Sequence, residues 1–307
     1  MERITLPIGL DYPKNVFDVS IAFDAHLKET RAFEYLPIPT GFAELDEILG
    51  GGLHPENLML VGGSPGTGKT IFALQVARNI AAMHDALACV VCFEHSEGQL
   101  YQRLLCMESA LGNSDSDGIT LEDIRAVMGE RDASLQLLLD ASPSARAAWS
   151  RLVQYWERLF LVKGHPSKTT LHVLEQYLTH LQARGERVVL FVDYLQKVPV
   201  PYTGVELSPE KQIRIVTEGL KNLALAHRVP IVAIAASDTE GLKNEHVRFQ
   251  DLWGGSSVQY EPDVAVMLNR GRENEIVLSV EKNRMGASGL QKRLELDGAH
   301  FVLRQNA

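Results

Sequence analysis

The sequence predicts an α/β protein with a mostly parallel central sheet covered by helices on both faces. Three observations predict it. Short apolar runs recur through the chain ("NLMLVGG", "ALACVVCFEH", "RLFLV", "RVVLFVDYL", "VPIVAIAAS", "VAVMLNR"), and continuous runs of this length belong to strands buried on both faces. They alternate with longer segments of helical character, the rhythm of strand–helix–strand units. A glycine-rich stretch, "GSPGTGKT", stands between the first such strand and a helix. With 307 residues, 45% of them hydrophobic, the chain can bury a sizeable core.

Taken in order, residues 1–36 precede the alternation and read as a linker segment. Within them "NVFDVSIAFDAHLKETRAFEYL" places Val16, Val19, Ile21, Phe23 and Leu27 among early acids, Asp18 and Asp24, and late bases, Lys28 and Arg31. That pattern is an amphipathic helix. From Pro37 the alternation starts, and residues 37–307 read as one domain. "GKTIFALQVARNIAAMH" and "EGQLYQRLLCMESAL" are helices following the first and second strands. Ile119 to Leu159 is largely helical, with Trp149 and Trp156 expected in the core. "PVPYTGVELSPEKQ" carries prolines and a glycine and reads as a mobile loop. "EIVLSVEKNR" and "QKRLELDGAHFVLRQ" read as antiparallel strands closing the C-terminal edge.

Composition excludes several classes. No apolar run approaches the ~20 residues of a membrane span, and the start of the chain lacks the pattern of a secretory signal. Three cysteines make no disulfide framework, so a reducing, cytoplasmic setting is expected. Cys89 and Cys92 lie three apart on a strand and face opposite sides, which argues against a redox or zinc pair. Ten histidines show no H-x-x-x-H cluster of the kind that binds transition metals. A net charge of −9 argues against a basic nucleic-acid coat but leaves room for a local basic channel.

The chemistry concentrates in Gly63, Ser64, Pro65, Gly66, Thr67, Gly68, Lys69 and Thr70, which fit G-x-x-x-x-G-K-[ST] in a strand-to-helix context. Glycines let backbone N–H groups converge on phosphate oxygens, and the helix start adds partial positive charge. Lys69 would reach the β- and γ-phosphates of ATP, and Thr70 would offer a hydroxyl to Mg²⁺. Asp193 ends the apolar strand Val188–Val192 and supplies a second handle on Mg²⁺, at the strand end where such sheets bind ligands. Glu94, at the end of the strand after the glycine loop's helix, is the candidate to polarise water. Glu97 competes for that role but suits a helix start near Ser96.

A glutamate so placed resembles the RecA-like ATPases, and more narrowly the ATPase domain of DnaB-type hexameric replicative helicases. The matching stretches are "IPTGFAELDEIL", "GGSPGTGKTIFALQVARNIA", "FEHSEGQLYQRLL", "LFVDYLQ", "EGLKNLALAHRVPIVAIA" and "VEKNRMGASG", in the family's order from Pro37 to Gln305. The resemblance implies a RecA-like ATPase domain over residues 37–307 and an interface helix in residues 1–36. It implies that Lys282 and Arg284 reach the γ-phosphate of a neighbouring subunit, and hence a homohexamer. Single-stranded DNA is the implied partner, and a replicative helicase or translocase motor the implied activity. "LGGGLHPENLMLVGG" is also similar to recombination and clock ATPases. A non-motor ATPase, or a DNA-binding loader that does not unwind, therefore stays open at this point.

The chain also departs from the family. About 36 residues precede Pro37, where the family has a separate helical domain. A γ-phosphate-sensing glutamine expected after "VPIVAIA" is replaced in the region of Ala236 and Ser237. Trp253 stands where the family tends to place an arginine near nucleic acid; it would stack on a base or serve the core. Lys197, Lys211, Arg214, Lys243 and Arg248 supply charge to the loops expected near a pore.

Overall fold

The computed structural model describes residues 14–28, 35–83, 86–111, 118–201, 204, 207–238, 244, 246–254 and 256–305. The chain divides into two compact units, Met1–Leu36 and Pro37–Ala307.

The first unit contains α1 (Val16–Lys28). Asn15 starts it by accepting the Asp18 backbone N–H through Oδ1 at 2.9 Å, a carboxamide cap. Val16, Phe17, Val19, Ile21, Phe23 and Leu27 are all exposed, by 51–85%. So many large apolar groups in water on one short helix is the pattern of a contact surface. Arg31 lies outside the described residues.

The second unit is a nine-stranded sheet. Its strands are β1 (Leu58–Gly63), β2 (Ala86–Cys92), β3 (Leu159–Lys163), β4 (Arg187–Asp193), β5 (Ile231–Ile234), β6 (Val264–Arg270), β7 (Glu275–Asn283), β8 (Leu290–Asp297) and β9 (Val302–Gln305). Their spatial order is β3-β2-β4-β5-β1-β6-β7-β8-β9. The first six pair in parallel, and β6 to β9 pair antiparallel. The α/β fold class and its antiparallel C-terminal edge are thus as the sequence predicts. Helices α2 (Ala43–Ile48), α3 (Lys69–Met83), α4 (Glu97–Leu111), α5 (Leu121–Met128), α6 (Leu135–Ala141), α7 (Pro143–Leu152), α8 (Leu171–Gln182), α9 (Pro209–His227) and α10 (Ser256–Tyr260) complete the unit. Among the described residues no helix is long and apolar enough to cross a membrane.

Strand alternation divides the core in two. Ala88, Val90 and Cys92 of β2 join one cluster with Phe72, Leu74 and Leu104. Leu87, Cys89 and Val91 join the other with Leu178, Leu190 and Leu220. Cys89 and Cys92 therefore sit on opposite faces. Burying each such Leu, Val or Phe contributes about 1.5–3 kcal/mol.

Local detail corrects the sequence reading in four places. β2 ends at Cys92, so Glu94 stands beyond the strand. The helical stretch after Ile119 breaks into three short helices, each capped by a hydroxyl from Thr120, Ser134 or Ser142. The end of the expected loop, "SPEKQ", is the start of α9, with Ser208 accepting from Lys211 N and Pro209 at its first position; proline and serine mark a helix start as readily as a loop. Trp149 packs against the core, whereas Trp156 is 51% exposed and meets Trp149 edge-on at 6.3 Å.

One buried ionic hub joins the helices. Glu108 of α4, fully buried, accepts from Arg78 of α3 and from Tyr155, and its backbone carbonyl accepts from Arg151 of α7. A carboxylate so deep is retained only with several donors around it.

Candidate functional site

The loop after β1 is shaped by what cannot fit there. Gly63 has φ 133°, and a Cβ on it would lie 1.9 Å from the Leu268 carbonyl oxygen of β6. Gly66 and Gly68 follow at φ 73° and 84°, conformations glycine adopts freely. The loop closes directly into α3, whose first residue is Lys69. Lys69 Nζ donates to the carbonyls of Gly63 (2.9 Å) and Ser64 (2.8 Å). Burial lowers the pKa of the ammonium from its ordinary value, opposed by the charges of Asp193 and Glu94.

Parallel pairing brings the carboxylates alongside. β4 runs beside β2 with Cys92 opposite Asp193, and Phe93 N donates to Asp193 O at 2.7 Å. Glu94, one residue further, is carried to the same strand ends. Thr70 Oγ1 donates to Asp193 Oδ2 at 2.7 Å, and Cys92 Sγ lies 3.6 Å from the same oxygen. Burial pushes the Cys92 thiol up to about 11. Asp193 is 3% exposed. Burial raises its carboxyl above the usual range, opposed by the Thr70 hydroxyl and aided by the Glu94 charge.

The sign of that shift makes a prediction. The folded chain holds the Asp193 proton to a higher pH than the unfolded chain does. Ionising Asp193 therefore costs stability as pH rises through the interval between the two pKa values, and the full cost remains above it. Asp193→Asn is expected to raise the melting temperature of the ligand-free chain at neutral pH, with the gain shrinking towards acid. Thermal melts across pH check it.

Lys69, Thr70, Glu94, Asp193 and Ser237 line one cleft of about 460 Å³ together with Gly63, Pro65, Gly66 and Gly68. Ser64 and Thr67 stay within the loop, Thr67 Oγ1 donating to Ser64 O at 2.8 Å. Glu97 is not in the cleft lining; it starts α4 and accepts from Lys163 N at 2.8 Å, and backbone N–H groups hold its pKa below the ordinary value. Among the carboxylates weighed for polarising water, the cleft holds Glu94.

The cleft also holds a residue that the sequence reading missed. Arg103 of α4 lines it, with its guanidinium 5.1 Å over the Phe301 ring, and burial lowers its pKa. A signal existed. Leu100, Leu104 and Met107 mark the buried stripe of α4, and Arg103 falls on it at helical spacing.

Lys282 and Arg284 lie elsewhere. Lys282 Nζ donates to the carbonyls of Gln259 (2.7 Å) and Tyr260 (2.8 Å). Arg284 donates to Tyr260 O (2.6 Å) and to Asp263 Oδ1 (3.2 Å). Asp263 accepts the N–H of Leu58, the first residue of β1, at 2.8 Å. The pair thus sits at the start of β1, while the glycine loop leaves its other end. Five residue steps at ~3.3 Å separate those ends by roughly 17 Å.

The loops expected near a pore are partly described. Lys197 Nζ lies 5.7 Å over the Tyr194 ring and Arg248 pairs with Glu281 at 3.4 Å, whereas Lys211 and Arg214 stand on α9 rather than in a loop, Arg214 pairing one turn on with Glu218 at 3.6 Å. Trp253 is 38% exposed and donates its backbone N–H to Ala236 O at 2.9 Å. Gln196 reaches the same place, donating to Ala236 O and Trp253 O and accepting from Ala236 N. Lys243 lies outside the described residues.

A glycine cradle feeding a helix, a hydroxyl–carboxylate pair and a second carboxylate at neighbouring strand ends form the kind of site found in nucleotide-hydrolysing α/β proteins. The comparisons with known proteins narrow it. Residues 37–297 match the DnaB-like helicase C-terminal domain, and the chain belongs to that family. It is 24% identical over 293 residues to the replicative DNA helicase DnaB of Geobacillus stearothermophilus, covering 90% of this chain and 59% of that protein. It is 25% identical over 261 residues to a probable plasmid replicative DNA helicase of Chlamydia muridarum, covering 82% and 51%. The chain therefore spans little more than half the length of these relatives. Among solved structures, a DnaB-like replicative helicase described with its interactions with primase superposes with a TM-score of 0.74 at 18% identity, covering 97% of this chain and 68% of that one. The RadB recombinase superposes with a TM-score of 0.53 at 17% identity, covering 88% of this chain and 100% of that one. These two likenesses establish the RecA-like fold.

Proposed function

We propose that the chain is the ATP-hydrolysing motor of a homohexameric replicative helicase acting on single-stranded DNA, each active site being shared between two subunits. The observation that carries the reading is the geometry of the cleft, with Lys69, Thr70, Glu94 and Asp193 converging on a glycine cradle, within a chain of the DnaB-like family. Lys69, resting on two backbone carbonyls, exchanges them for β- and γ-phosphate oxygens when ATP enters, a trade of neutral acceptors for charged ones. The Thr70 hydroxyl and the Asp193 carboxylate, 2.7 Å apart, are hard oxygen donors that fit Mg²⁺. When bound there, the ion neutralises phosphate charge. Glu94 orients and polarises the attacking water, and Arg103 adds positive charge on the same wall.

Arg284 and Lys282 face a neighbour's cleft in this reading, because a distance of roughly 17 Å along β1 keeps them from their own. α1, with its exposed apolar residues, covers the adjacent subunit and holds the ring.

The test pairs two measurements, ATP turnover with and without single-stranded DNA and particle mass with nucleotide. The expected result is turnover stimulated by DNA in a particle six times the 34.0 kDa chain. Turnover indifferent to DNA would remove the motor reading and favour an ATPase whose nucleotide state sets assembly. Strand displacement on a forked duplex then separates a helicase from a loader that binds DNA without unwinding it.

A further inference from the structure

Asn269, near the end of β6, is 4% exposed, an uncommon setting for an amide side chain. Both of its polar atoms are engaged. Oδ1 accepts from Val247 N at 2.9 Å, and Nδ2 donates to Val247 O at 2.9 Å. Oδ1 also accepts from Ser64 Oγ of the glycine loop at 3.4 Å. One buried amide therefore touches both the glycine loop and the segment that carries His246, Arg248 and Trp253.

The far end of that segment is fixed differently, by backbone bonds from Asp238 N to Asp251 O and from Trp253 N to Ala236 O, both at 2.9 Å. At the Val247 end, Asn269 holds both backbone groups of one residue. Breaking that clamp inside the protein leaves buried backbone groups unpaired. Arg248, open to solvent, pairs with the half-buried Glu281 at 3.4 Å, and Glu281 also accepts Phe249 N at 2.8 Å.

We infer that Asn269 is a positioning residue that transmits the conformation of the glycine loop to the segment starting at His246, so that nucleotide state resets how Arg248 is presented. The inference rests on the reading of Gly63–Thr70 as a nucleotide site. Lys69 holds the carbonyls of Gly63 and Ser64 in the ligand-free chain. An entering triphosphate draws Lys69 away, the backbone at Ser64 moves, and its hydroxyl carries the displacement to the amide. Asn269 then moves Val247, because it grips both the N–H and the C=O.

The experiment places a polarity-sensitive fluorophore on His246→Cys in the full chain, where the native Cys89, Cys92 and Cys106 are buried. A non-hydrolysable ATP analogue with Mg²⁺ is added, and its binding is measured in the same samples by equilibrium dialysis. The labelled parent is expected to shift its emission on saturation. Asn269→Ala is expected to lose that shift while still binding the analogue. Ser64→Ala at saturating analogue is expected to lose it as well, and the double variant to behave as either single one. Ser64→Ala leaves the Val247 clamp whole and so carries the test if Asn269→Ala does not fold. A parent that binds the analogue without a shift, or variants that shift as the parent does, would overturn the inference. A parent that fails to bind the analogue would instead overturn the nucleotide reading.

Discussion

Arg284→Ala is expected to lower ATP turnover by about 10³-fold or more while leaving nucleotide binding and ring assembly in place, the usual range for an arginine supplied across an interface. The reasoning is geometric. In its own subunit Arg284 bonds to Tyr260 and Asp263, at the opposite end of β1 from the glycine loop. In the proposed reading its charge stabilises the transition state in a cleft presented by another copy. Loss of the side chain leaves Asp263 with Lys221 Nζ at 2.7 Å and Leu58 N, so the fold keeps its local support. Binding by titration and turnover by phosphate release, measured on the same preparation, separate the two effects. Mixing Arg284→Ala chains with Glu94→Gln chains supplies the stringent version. Mixed rings contain interfaces where an intact Glu94 meets an intact Arg284, so activity should reappear there. Mixtures that co-assemble yet stay inactive would rule out the shared site.

Glu94→Gln should reduce hydrolysis by about 10²-fold or more with ATP still bound, since it keeps the shape and removes the carboxylate proposed to polarise water. Glu97→Gln is its control. Glu97 binds Lys163 N outside the cleft, so turnover in that variant should stay near the parent's. The reverse pattern would move the water-activating role to Glu97.

How much of this was legible in the sequence depends on the kind of signal. The glycine loop, Lys69, Thr70 and Asp193 announce themselves because each is a polar interruption at the end of an apolar run, where little else explains it. The antiparallel edge was legible because its charged residues alternate with apolar ones. Arg103 was harder to see. A cation within an apolar helical stripe reads as a surface residue until the tertiary fold shows what the stripe faces. Asn269 was invisible for a similar reason, since an asparagine at a strand end is an ordinary turn signal. Its partners, Ser64 and Val247, lie 205 and 22 residues away. Trp156 misled the reading because bulk suggests burial, while its backbone belongs to the short turn leading into β3. Local spacing carries backbone chemistry well and long-range pairing poorly.

Under the proposed shared site, the separation of Arg284 from the glycine loop along β1 makes each subunit a polar object, with a receiving end and a donating end. Two copies related by a two-fold axis would set like ends together and complete no site at all. Only head-to-tail contacts are productive, and these close into rings or run on as open filaments. In a closed assembly the number of complete sites equals the number of subunits. Break a single contact, as threading a DNA strand through a closed ring requires, and the one site at that seam goes silent while the others remain whole. The gap would thus be marked chemically, by one cleft that can hold its nucleotide but not cleave it.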